Sequence, residues 1–173
     1  MSREVFNNAF RFFGLWLLQI VVLRQIAFDW GGFNHLSIMV YPLFVMLLPL
    51  RTPRSLVLLL AFAMGLMVDI AYNSPGVHAS ASVFMAFVRP VILYQLEPRG
   101  GYNINFSPAR QRLGRAWFFR YAGLMLIVHH FFYFSVEAFT FVYIADILLK
   151  TGVSFVGSML FIAILMLIFN PLN

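Results

Sequence analysis

Six apolar runs, separated by short polar breaks, dominate what this chain can fold into. They cover residues 9–28, 36–50, 55–72, 77–96, 116–141 and 153–169. The hydrocarbon core of a bilayer takes about 20 residues of helix, and most of the runs approach that length. Of the 173 residues 62% are hydrophobic and 10% charged, whereas a soluble domain carries roughly 25% charged residues. Too few polar side chains remain to cover a water-facing surface. A chain that must satisfy its backbone inside lipid forms helices or a closed barrel, and runs of this length favour helices. The expected fold is all-α: a polytopic membrane protein of about six transmembrane helices, one integral membrane domain over 1–173. No cleavable leader is expected, because the first run starts near Ala9 and no small-residue cleavage site follows it.

The placement of charge says more than the net value of +6. With six spans, one side receives Arg3, Arg51, Arg54, Arg99, Arg110, Arg112 and Arg115, with Arg11 and Arg120 near it. The other side receives Arg24 and Lys150. Lys and Arg concentrate on the cytoplasmic side, so both termini are expected in the cytoplasm, and the turns at 29–35, 73–77 and 142–152 outside. Nucleic acid is not an expected partner, since the basic residues lie between apolar runs. There is no cysteine, which excludes disulfides, thiolate metal sites and cysteine nucleophiles.

Within the first run, Arg11 and Arg24 lie near the ends and can snorkel. Gln19 is central and is expected to face other helices rather than lipid. Asp29-Trp30-Gly31-Gly32 reads as a turn with an interfacial tryptophan. The second run is short and holds Pro42 and Pro49; it is expected to be tilted, kinked or partly re-entrant. In the third, Ala61, Gly65, Asp69 and Asn73 recur every four residues and form one slowly drifting stripe. Small residues admit a second backbone, so Asp69 should point at protein. The fourth places Ala79, Ser82, Ala86 and Arg89 on one face, and Pro90 should bend it by leaving the Ala86 carbonyl without its amide donor. In the last run Gly157 and Ser158 are small packing positions.

Ionisable groups at membrane depth are costly and need a reason. Asp69 ends the third run, and Asn73, Pro75, Gly76 and His78 form the turn into the fourth. Asp69 either caps the next helix or pairs with a neighbouring one, holding a structural hairpin; or it serves a ligand or proton; or it meets another membrane protein. Arg89 lies about 16 Å beyond His78 by helical rise. It is expected to snorkel inward, with a buried pair to Asp69 or Glu137 as the alternative. His129, His130, Tyr133 and Glu137 fall within roughly a 100° arc of one helix. A metal reading is weak, because HExxH is absent and adjacent histidines diverge. Intramembrane helix pairing, a proton relay or a bound polar ligand are the remaining readings. The loop over 97–115 carries Arg99, Arg110, Arg112 and Arg115. It suits anionic headgroups or a cytosolic partner, or is topological charge alone. No nucleophile–base pair, phosphate loop or nucleotide fingerprint appears, so no catalytic, metal or cofactor residue is assigned and the chain is read as a non-enzyme.

Two segments carry a resemblance. Leu48-Pro49-Leu50-Arg51 and Met64-Gly65-Leu-Met-Val-Asp69-Ile-Ala-Tyr-Asn-Ser74-Pro75-Gly76-Val77-His78-Ala79 resemble the central region of the rod shape-determining MreD family. That family closes an early span with proline and a basic residue. A G-x-x-x-D helix end then precedes a small polar turn with a glycine and often a basic or His position. Gly65, Asp69, Gly76 and His78 occupy those places. The close match covers about a quarter of the chain; elsewhere the agreement is in hydropathy, and the 97–115 loop does not align. The resemblance implies a fold similar to the six-helix substrate-binding subunits of ECF-type vitamin transporters. It also implies a non-enzymatic scaffold of the bacterial cell-elongation machinery (the elongasome that directs peptidoglycan synthesis and cell shape) in the cytoplasmic, or inner, membrane. Its implied partners are an MreC-like bitopic protein, MreB-like, RodA-like and transpeptidase proteins, and membrane lipids. A small-ligand or lipid-binding, transporter-like component is the alternative, motivated by Asp69, Asn73, His78 and Glu137.

Overall fold

Helix ends in this chain are set by prolines and by residues with positive φ. The computed structural model describes residues 2–26, 36–103, 107–108, 114–140 and 142–169. The expected turn at Asp29–Gly32, with Trp30, and the arginines Arg110 and Arg112 lie outside the described residues. Among the described residues all regular structure is helical. Helix α1 (Ser2–Leu17) continues through a π-helical stretch (Leu18–Leu23) into a last turn (Arg24–Ile26). Then follow α2 (Leu43–Leu47), α3 (Arg54–Tyr72), α4 (Val77–Gln95), α5 (Arg115–Ala138) and α6 (Ile144–Phe169). Pro53 precedes α3, Asn73 ends it at φ 54°, and Gly76 opens α4 at φ 85°.

Among the described residues four helices are long and apolar enough to cross a membrane: Phe6–Ile26, Arg54–Tyr72, Val77–Gln95 and Ile144–Phe169, with mean hydropathies of 1.4, 2.1, 1.4 and 2.5. The chain is a helical membrane protein. Along α1, Phe6, Phe10, Phe13 and Leu17 are exposed at spacings of four, three and four, which makes an apolar stripe suited to lipid. Helix α5, 24 residues long, carries Arg115, Arg120, His129, His130 and Glu137. It packs between α4 and α6 and buries Phe118, Tyr121, Met125, Leu126, His129 and His130 almost completely.

The second apolar run does not form a long helix. Residues 36–40 form no helix, and their Ser37 and Met39 amides reach serines one turn apart on α6, the spacing of extended chain; α2 is short, and every residue from Ile38 to Leu48 is buried. This segment threads the bundle beside α4. Tyr41 meets His78 in the first turn of α4, and Leu48 meets Arg89, about 16 Å further along by helical rise. Pro42 is compatible with this path because a proline fixes φ and lacks the amide that a continuing helix would need.

A second departure concerns α6. The turn expected over 142–152 is helical from Ile144 onward. Asp146 in the first turn favours the positive end of the helix dipole, and it stands four residues before Lys150, the favourable order for an ion-pair spacing on a helix. The polar residues that read as a loop are the polar end of a helix. The chain reverses instead at Phe139, which adopts φ 50° and is 93% exposed.

Two glycines make room for close neighbours, one for backbone and one for side chains. A Cβ on Gly65 would lie 2.5 Å from the Ala79 Cα and 2.6 Å from the His78 carbonyl oxygen, so α3 and α4 touch backbone to backbone there. A Cβ on Gly157 would lie 3.1 Å from Leu36 and 3.3 Å from Ile38, so α6 makes room for the extended segment. Gly65→Ala should cost about 3 kcal/mol, the upper end for overpacking. Gly123→Ala, whose new Cβ would meet Met159 at 3.7 Å, should shift stability by less than about 1 kcal/mol. Unfolding of the two variants in mild detergent, followed by circular dichroism, checks the order.

Candidate functional site

The buried segment creates the polar interior of the protein. Extended backbone cannot satisfy its own amides, and an unpaired amide in a dry interior is costly. Side chains from both flanking helices supply the partners. On one side, Ser154 Oγ of α6 accepts the Ser37 amide at 3.0 Å and Ser158 Oγ accepts the Met39 amide at 2.9 Å. The spacing fits: four helical residues rise about 6 Å, close to two residues of extended chain. On the other side stands Gln19, in the π-helical stretch. Its Oε1 accepts the Val40 amide at 2.8 Å and the Tyr41 amide at 3.4 Å, while Nε2 donates to the Ile38 carbonyl and the Tyr72 hydroxyl. All four hydrogen-bonding positions of that carboxamide are used. Gln19 is therefore turned to protein, as its central position implied.

The inner end of the segment is held differently. Arg89 is 5% exposed. Its Nη2 donates to the Leu48 carbonyl and its Nε to the Tyr121 hydroxyl at 3.0 Å, and Tyr121 donates onward to the Met46 carbonyl at 3.3 Å. These carbonyls lie at the C-terminal end of α2, where helices leave acceptors unpaired and favour cations. The expectations for Arg89 are thereby corrected. It neither snorkels out nor pairs with Asp69 or Glu137, because α2 ends against it and offers acceptors at that depth.

Asp69 closes one helix and opens the next. Its backbone carbonyl accepts the amides of Asn73 and Ser74 as α3 ends. Its carboxylate then reaches the start of α4: Oδ1 accepts the His78 amide and the Ser74 hydroxyl, and Oδ2 accepts the Ala79 amide, each at 2.9 Å. The first amides of a helix lack internal partners and carry positive potential, so a buried carboxylate suits them. Of the readings open for Asp69, the structure displays the cap. Asn73, Pro75 and Gly76 are exposed and shape the turn.

The histidines divide into two kinds. His130 Nδ1 bonds the Leu126 carbonyl at 2.8 Å and must carry the proton there. Its Nε2 then accepts from the Ser158 hydroxyl at 3.1 Å, while Ser158 accepts from Met39. His130 thus belongs to the lattice that holds the extended segment. His78 and His129 share one partner, the Tyr41 hydroxyl, which lies 3.1 Å from His78 Nδ1 and 2.8 Å from His129 Nε2. Tyr133 packs its ring 4.7 Å from His78 and donates weakly to Glu137 at 3.4 Å. Glu137 lies at the helix end, 44% exposed and 3.9 Å from Lys150. Asp69, Asn73, His78 and Glu137 do not converge on an open site, since Asp69 is occupied with backbone amides and Asn73 faces outward.

Arg99 and Arg115 are exposed at the ends of the polar loop. The loop is tied down beside them: Trp117 Nε1 donates to the Leu96 carbonyl at 2.9 Å and the Tyr102 hydroxyl to the Leu93 carbonyl at 2.8 Å. Burial pushes the Tyr102 hydroxyl up to about 12, so at neutral pH it stays protonated and can donate. The residues that sequence reasoning passed over are Tyr41, Tyr121 and Ser154. A tyrosine directly before Pro42, inside a broken apolar run, is the signal that could have found Tyr41.

Asp69→Ala leaves two buried amides unpaired, and Gln19→Leu leaves the Val40 and Tyr41 amides unpaired. At about 1–3 kcal/mol for each orphaned group, both variants should lose about 2–6 kcal/mol. Glu137→Gln, at the surface, should stay within about 0.5 kcal/mol. Monodisperse yield and thermal midpoint in detergent check this ranking. Compared with known proteins, the chain matches no family model, no curated protein and no solved structure.

Proposed function

We propose that this chain is a non-enzymatic scaffold subunit of the MreD type, working in the bacterial cell-elongation machinery of the cytoplasmic membrane. The observation that carries the reading is the state of its motif residues. Gly65, Asp69, Gly76 and His78 carry the resemblance, and the first three are committed to building a hairpin. Gly65 admits the backbone of α4, Asp69 caps it, and Gly76 supplies the positive φ that opens it. A motif of that kind preserves a shape for others to bind rather than a reaction.

In this reading the 36–50 segment, buried from Ile38 to Leu48, is a broken crossing. Counted with the five long helices it makes six passages, with both termini on the arginine-rich cytoplasmic side. The broken crossing is compatible with the membrane, since irregular backbone is tolerated at that depth where protein surrounds it. The exposed apolar stripes face lipid and the helices of an MreC-like bitopic protein. The basic loop with Arg99, Arg110, Arg112 and Arg115 faces anionic headgroups and cytosolic partners such as an MreB-like filament.

Two measurements test this. Purification of the full chain from a bacterial host in mild detergent should recover an MreC-like protein, and recovery of no elongation protein would overturn the reading. Reversing charge at Arg110, Arg112 and Arg115 should lower recovery of a cytosolic partner several-fold with helical content unchanged. Unaltered recovery of every partner removes the loop from the interface.

A further inference from the structure

Three buried side chains form a line of hydrogen bonds with open ends. The Tyr41 hydroxyl, on a residue with no exposed surface, has one proton and stands between two imidazoles. At the far side of each ring a nitrogen, His78 Nε2 or His129 Nδ1, is buried without a hydrogen-bond partner among the described residues. This differs from His130 beside them, whose two nitrogens are both engaged. An orphaned polar atom in a packed interior is uncommon and asks for a reason.

We propose that Tyr41, His78 and His129 form a buried proton-exchange relay. The line has two neutral arrangements. In one, His78 Nδ1–H donates to the Tyr41 oxygen and Tyr41 donates to His129 Nε2. His78 Nε2 is then an open lone pair and His129 Nδ1 an open N–H. In the other, His129 Nε2–H donates to Tyr41 and Tyr41 donates to His78 Nδ1, so the open ends are reversed. The two differ by the passage of one proton. A proton delivered by water to His78 Nε2 makes an imidazolium. The Nδ1 proton moves to the Tyr41 oxygen as the Tyr41 proton moves to His129 Nε2, and His129 gives its Nδ1 proton up to water at the other end. One proton enters, one leaves, and no charge remains. Transit in the reverse direction restores the first arrangement.

The surroundings suit such a path. Asp69 of α3 bonds the backbone amide of His78 and so sets a negative charge beside the transient imidazolium. Tyr72 of α3 packs 5.1 Å from the His78 ring, with Arg24 placed 5.6 Å over the Tyr72 ring. From α5, His130 lies 5.5 Å from His129, and Tyr133 lies 4.7 Å from His78. The Tyr133 hydroxyl reaches Glu137, which is part-exposed beside Lys150 of α6. The Tyr133 ring thus stands between the His78 ring and a part-exposed carboxylate. Ser82, one helical turn beyond His78 on α4, brings a buried hydroxyl beside the Tyr41 hydroxyl, a third polar group at the centre of the line.

The test is nitrogen NMR of the full chain in lipid bilayers with labelled histidine. In the wild type, His78 and His129 should each show Nδ1 and Nε2 signals intermediate between the protonated and bare values. His130 should show one fixed tautomer with the proton on Nδ1. Single fixed tautomers at both His78 and His129 would overturn the proposal. Tyr41→Phe keeps the ring but removes the shared oxygen, and should freeze both histidines while the His130 signature, a reporter of the intact fold, persists. Continued exchange at both in that variant would overturn it as well. Should Tyr41→Phe fail to fold, the wild-type spectra decide alone.

Discussion

A stretch of non-helical backbone inside a membrane protein imposes a demand that everything around it must meet. Residues 36–40 are extended, with no internal hydrogen bonds to offer. In water the amides could be hydrated, and in lipid they could not. The demand is met in register, by two serines one helical turn apart on α6 and by a carboxamide on the opposite side. The π-helical stretch at Gln19 belongs to the same solution. Its wider turn leaves the Gln19 carbonyl to accept both the Arg24 amide and the Tyr72 hydroxyl. That ties α1 to α3 at the level where the side chain holds the extended segment. The segment in turn fills the space between the helices, so its pairing and the packing of the bundle are one problem.

At the other end of the same segment the chemistry changes sign. The extended part presents amides and receives oxygen acceptors. The end of α2 presents carbonyls and receives a guanidinium and a phenol. Arginine suits this place because its fork of donors can serve a carbonyl and a hydroxyl at once. Asp69 solves the mirror-image problem at the start of α4, with a carboxylate among unpaired amides. The chain therefore places one buried anion and one buried cation at opposite levels of α4, each facing backbone dipoles rather than the other. About 16 Å of helical rise separates His78, beside Asp69, from Arg89, and the dipoles explain why neither charge needs the other.

The architecture was partly legible in the residues because the forces that shape it most are local. Long apolar runs specify long helices, and a four-residue stripe of Ala61, Gly65 and Asp69 specifies a close-packed face. Pro42 and Pro49 marked the broken run, and the central polar Gln19 announced a protein-facing contact. What stayed hidden was non-local. Nothing in the sequence says that Ser154 and Ser158 match the spacing of Ser37 and Met39, more than a hundred residues away, or that Tyr41 reaches two histidines on different helices. Such matches depend on how helices sit in space, which hydropathy does not encode. The start of α6 was hidden for another reason. Asp146 and Lys150 are polar enough to imitate a loop, and only their spacing of four betrays a helix.

The buried polar groups can be sorted by whether their hydrogen-bonding capacity is used up. Gln19, Asp69, His130 and Ser158 are saturated, and each holds backbone in place. A saturated group has one arrangement, and any other leaves a partner unpaired at a cost of about 1–3 kcal/mol. Such groups fix the shape of the bundle, which is what the scaffold role we propose would need. His78 and His129 are different, because the Tyr41 proton can serve only one of them at a time and the structure offers it two acceptors, at 3.1 and 2.8 Å. Two arrangements that satisfy the same bonds differ little in energy, and small energy gaps are where motion of a proton or of a segment occurs. Tyr41 sits on the threaded segment itself, between the amides held by Gln19 and the start of α2. Any bias on the relay therefore acts at the element whose placement the rest of the bundle supports.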